Sequence, residues 1–127
     1  MQWTIPVAEM TTADPAETAQ NFLHGILAAW AADPDGPMAV LLRTAMTSPD
    51  ALELLRTQVT DQAVTAVAAT IDGPDARLRA ALLSAVLMGI ASQRYLLQFP
   101  DLAAASDDDI VRIMAPVLTG LLSPDQV

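Results

Sequence analysis

Few side chains in this sequence could do chemistry. His24 is the single histidine and cysteine is absent, which excludes a zinc site built on Cys and His and a thiolate nucleophile. By the 3.6-residue period, His24 falls about 130° from the centre of its helix's apolar face, so it reads as a surface or rim residue rather than a general base. Three consecutive acids, Asp107, Asp108 and Asp109, look like a metal site. They follow Ser106 at a helix start, however, where negative charge complements the helix dipole. No metal ligands and no cofactor are assigned. There is no glycine-rich phosphate loop, and Ser, His and Asp show no hydrolase signature. Arg43 lies opposite the apolar side of its helix and reads as a salt-bridge anchor. Arg94 interrupts a largely apolar helix and needs a carboxylate or carbonyl partner. Asp101, or an acid from another chain, is the candidate.

The other notable side chains suit binding rather than reaction. Gln62 flanks Leu55, Val59 and Ala66; it either orients a ligand through its amide or stands half-exposed beside the core. Trp30, Met38 and Met46 suit a pocket that tolerates varied ligands, and they suit an ordinary core as well.

These side chains need helices to position them. Residues 1–13 show no sustained period and read as an extended lead-in, with Trp3 and Ile5 as the side chains that would dock it. Asp14, Pro15 and Glu17 form a helix start with a cap, a first-turn proline and capping-box spacing. Ala19, Phe22, Leu23, Ile26, Leu27 and Trp30 then mark one apolar face, and residues 33–36 end the helix. A short helix opens at Pro37, lined by Met38, Leu41, Leu42 and Ala45. Ser48 and Pro49 start a third, over residues 49–71, roughly 35 Å long at about 1.5 Å per residue. Asp72, Gly73 and Pro74 stop it.

The fourth helix, residues 75–98, is apolar in nearly every direction around its middle, with Leu78, Leu82, Leu83, Val86, Leu87 and Ile90. A helix apolar all round is buried all round, so a small domain must cover part of it with a ligand or another chain. Ser106 caps a fifth helix with a wide apolar face, which Pro116 should kink. No strand-like alternation and no internal repeat occurs.

Composition sets the remaining bounds. The 127 residues fit one domain, and residues 14–124 carry it. Hydrophobic residues make up 53% and mean hydropathy is +0.38, enough for a core and some apolar surface besides. The longest apolar stretch, residues 80–91, falls short of the ~20 residues a bilayer span needs, and no secretory signal is visible. Without cysteine the cytoplasm is the default compartment. The net charge is -9 and lysine is absent; a nucleic-acid binder needs clustered cations, so this chain should not bind nucleic acid by itself.

Several of these features resemble the C-terminal domain of TetR-family transcriptional regulators. The run LLRTAMTSPDALELLR at residues 41–56 carries the likeness, together with residues 75–122. Within them stand Arg43, the Leu78 and Arg79 pair, Gly89, the Arg94 and Tyr95 pair, Phe99 with Pro100, and Ala115 with Pro116. The resemblance implies an all-α, five-helix domain whose last two helices pair with their twins in a dimeric four-helix bundle. It implies a homodimer that holds an apolar small-molecule effector among the earlier helices. On that basis Trp30, Met38, Leu42, Met46, Val59, Gln62 and Leu87 are the candidate ligand contacts. Leu83, Ile90, Leu97, Ile110, Met114, Val117 and Leu121 are the candidate dimer contacts. The helix-turn-helix headpiece that normally precedes such a domain has no counterpart in residues 1–13. A catalytic alternative is a recruited domain acting on an apolar molecule, for example a cyclase in secondary metabolism. A third reading is an interaction protein that pairs with an intact regulator.

Overall fold

The computed structural model describes residues 5–124. Among them every regular element is helical, in the order α1 (Val7–Met10), α2 (Pro15–Ala32), α3 (Pro37–Ala45), α4 (Pro49–Val59), α5 (Thr65–Ala68), α6 (Ala76–Ala91), α7 (Pro100–Ala104) and α8 (Asp107–Leu122). Two π-helical segments complete the set. Thr60–Val64 joins α4 to α5 as one long rod, and Ser92–Leu96 extends α6.

The helix starts follow from local chemistry. The Asp14 carboxylate accepts from the Ala16 amide at 3.0 Å, Ser48 Oγ from Ala51 at 3.2 Å and Ser106 Oγ from Asp109 at 3.1 Å. Each supplies a partner to an amide that the first turn leaves free. Asp75, at the head of α6, differs: its backbone is left-handed (φ 62°) and its side chain caps nothing. The α8 helix continues through Pro116 to Leu122, and the proline denies the Arg112 carbonyl its usual intrahelical donor.

Helix α2 is central. It packs along α8 and also against α6, burying Ala19, Phe22, Leu23 and Leu27 with Leu83, Ile90, Ile110, Leu118 and Leu122. The α6 and α8 helices run antiparallel. Arg79, near the start of α6, donates to the Gly120 carbonyl at 2.9 Å, while Arg94 beyond its end pairs with Asp107 at 2.9 Å. A smaller cluster of Trp30, Ala39 and Ala91 joins α2, α3 and α6.

The lead-in is less extended than the sequence pattern suggests. Val7–Met10 forms a helical turn, and Val7 is buried in the main core. Asn21 Nδ2 donates to the Met10 carbonyl at 2.9 Å, and the Thr12 amide donates to Thr18 Oγ1 at 2.9 Å. These bonds lay the segment on α2. Ile5 packs on the core; Trp3 lies outside the described residues.

Candidate ligand cavity

Helices α2, α3 and α6, the α4–α5 rod and the lead-in together enclose a cavity of about 320 Å³. This is at the small end of ligand pockets, which run about 300–1,000 Å³. Helix α2 contributes Phe22, Gly25, Ile26, Ala29 and Trp30, and Asp33 follows at its C-cap. Pro37, Met38 and Ala39 come from α3, Val59, Ala63 and Val67 from the rod, and Ala80, Leu83, Ser84, Leu87 and Met88 from α6. Ile5, Val7 and Met10 of the lead-in close one wall. Only Asp33 and Ser84 bring polar side chains to this lining. The exposed lining residues Pro6, Ala29, Asp33 and Pro37 mark the rim.

Sequence features explain how the wall is built. Gly25 faces Met10, whose methyl lies 2.5 Å from where a Cβ would stand, so the lead-in can approach α2 closely. Trp30 is held from behind: its ring stacks on Tyr95 at 6.2 Å, with 18° between the planes. Tyr95 in turn donates its hydroxyl to the Leu27 carbonyl at 3.1 Å. An aromatic ring fixed in this way forms a firm wall.

Of the candidate ligand contacts, Trp30, Met38, Val59 and Leu87 line this cavity. Three do not. Leu42 packs behind the wall with Trp30 and Ala39. Met46 is 85% exposed beyond the end of α3. Gln62 turns to the lead-in, where its Oε1 accepts the Ile5 amide at 3.3 Å. A regular helical period misplaces Gln62 because the π segment shifts the faces of the rod. The lead-in contacts, Asp33, Ser84 and Met88 lie outside the candidate set. The apolar residues Ile5, Val7 and Met10 were the available signal for the lead-in.

The candidate dimer contacts divide as well. Leu83, Ile90 and Ile110 are 2%, 8% and 5% exposed; they serve the protomer's own core, and Leu83 also lines the cavity. This corrects their assignment to a partner: a side chain already enclosed by its own chain has no surface to offer. Met114 and Leu121 are half-buried against the core. Leu97 and Val117 are exposed, as are Leu78, Leu82 and Ile113. The apolar surface that α6 and α8 leave outward therefore lies mostly on other positions than those expected.

Charged groups away from the cavity have structural partners. Arg43 pairs with Asp35 at 2.9 Å. Arg94 donates to the Leu102 and Ala105 carbonyls, each at 2.7 Å, and to Asp107 rather than Asp101. Asp109 pairs with Arg112, and His24 is exposed. Among the described residues no cluster of His, Cys, Asp or Glu could hold a metal ion. No helix there is long and apolar enough to cross a membrane.

An all-helical domain wrapped around an apolar cavity is thus the class that the fold and site define. Residues 16–122 match the family model of the tetracyclin repressor-like C-terminal domain, and the chain belongs to that family. In fold it is similar to the crystal structure of a TetR-family regulator from Streptomyces coelicolor. That match has a TM-score of 0.70 at 21% identity and covers 91% of this chain and 78% of the other. A search of curated proteins finds no match.

Proposed function

We propose that this chain is an effector-binding domain of the TetR type, which takes up an apolar small molecule and pairs with a second copy of itself. The observation that carries the reading is the cavity: about 320 Å³ of space inside a domain of only 127 residues. Well-packed interiors leave few voids larger than a water molecule. A space of this size lined by Trp, Phe, Met, Leu and Ile side chains favours an apolar occupant. Pairing would cover the outward Leu78 and Leu82 of α6 and Ile113 and Val117 of α8, on the antiparallel helices that the family uses to dimerise. Ligand binding would then bias the relation between two protomers, to the extent that the ligand binds one arrangement better than another. Nucleic-acid contact is not part of the proposal for these residues, given the net charge of -9. No observation favours the catalytic alternative.

The test is fluorescence titration with N-phenyl-1-naphthylamine, an uncharged apolar reporter. The wild-type chain should give saturable enhancement with one site per chain. Ala63→Phe places a ring in the cavity from the rod and should abolish the enhancement while the far-UV circular dichroism stays helical. Enhancement that survives Ala63→Phe undiminished would remove the cavity from the argument.

A further inference from the structure

We infer that the natural occupant of the cavity carries one basic nitrogen, its apolar body inside and its ammonium against the Asp33 carboxylate at the rim. The inference rests on the cavity being a binding site and adds the charge of what it binds.

Asp33 is the sole ionisable residue of the lining, and no Arg or His stands there to attract an anion. Among the described residues its carboxylate makes neither an ion pair nor a hydrogen bond, whereas the nearby Asp35 is paired with Arg43. Gly36 gives it a fixed seat: Asp33 Oδ2 and Cγ lie 2.5 and 2.8 Å from where a Gly36 Cβ would stand. Any larger residue at position 36 would push the carboxylate away.

Backbone electrostatics act in the same direction. Asp33 is the C-cap of the 18-residue helix α2, and the last carbonyls of a helix form the negative end of its dipole. A cation at this rim meets a carboxylate and a helix C-terminus together. An anionic ligand would meet both as repulsion, on a chain of net charge -9. Ser84 adds only a neutral hydroxyl to the lining. The chemistry therefore selects apolar amines over alcohols of the same shape, and both over carboxylic acids.

Three ligands with one tail separate these cases: decylamine, decan-1-ol and decanoate, each displacing N-phenyl-1-naphthylamine from the intact chain. Decylamine should displace at about three- to fivefold lower concentration than decan-1-ol, the scale of a solvent-accessible ion pair. Decanoate should need more than either. High salt should narrow the spread, because rim charges are screened. In Asp33→Asn the amine-to-alcohol ratio should fall toward one. Gly36→Ala, which displaces the carboxylate without removing it, should lower the ratio too. Asp35→Asn removes the same formal charge away from the cavity and should keep the preference, which separates a local effect from net charge. Equal displacement by amine and alcohol in the wild type overturns the charge inference and leaves the cavity reading standing. So does a preference that persists in Asp33→Asn. Failure of the reporter and all three ligands to bind overturns the cavity reading, and this inference with it.

Discussion

The Arg94 guanidinium serves two main-chain carbonyls and one carboxylate at once. It closes the turn between α6 and α8 and sits 5.4 Å from the centre of the Tyr95 ring, which backs Trp30. Its Nε is buried without a partner, so the net gain is below that of three ideal charged bonds. Arg94→Ala leaves the Leu102 and Ala105 carbonyls without this donor and should cost about 2–3 kcal/mol. A lower urea midpoint with an unchanged slope would show it. Arg94→Lys should recover only part, because an ammonium lacks the planar fork that reaches several acceptors. The need for a partner was legible from an arginine in an apolar helix. Which acid supplies it was not, because Asp101 and Asp107 are both close in sequence and only the path of α7 chooses between them.

Helix starts were the most legible elements. Asp14, Ser48 and Ser106 cap as their types and following residues suggest, since capping is a contact within one turn. The π segments left no such mark: residues 60–64 contain neither glycine nor proline. Side-chain packing against the lead-in and α6 shapes this part of the rod, and packing is not written in local sequence. This is why Gln62 was assigned to the cavity while Ala63 was passed over. Helix α8 offers a direct measurement at this scale. Pro116 is exposed and removes a backbone hydrogen bond in the helix interior. Pro116→Ala should stabilise the chain by about 1–2 kcal/mol, which is less than the ~3 kcal/mol proline penalty because the unfolded chain gains freedom too. A raised urea midpoint is the expected result; a lowered one would mean that the proline supports the native geometry.

At the scale of the molecule, composition and periodicity identified an all-helical domain with more apolar surface than one core can cover. They did not say which side of α6 faces inward. Leu82 and Leu83 are adjacent and chemically identical, yet one is exposed and the other 2% exposed. Only the packing of α2 and α8 distinguishes them. The outward face predicts assembly: light scattering should give the mass of two chains. Val117 is 48% exposed, so Val117→Asp should leave the fold intact and yield a single-chain mass. Melting temperature should rise with protein concentration in the wild type and lose that dependence in Val117→Asp. A wild-type chain that stays single at micromolar concentration would count against pairing.

In genetic terms, the π turn at Thr60–Val64 is a one-codon insertion that the fold has absorbed. Delete a codon there and the hydrogen bonds can revert to the α pattern, turning Thr65–Ala68 by about 100° relative to α4. Val67, 2% exposed in the core and part of the cavity wall, would swing away from both. The exposed connection at residues 72–75 carries no such constraint. Changes of length in this chain should therefore accumulate in its connections, while the rod is counted to the residue.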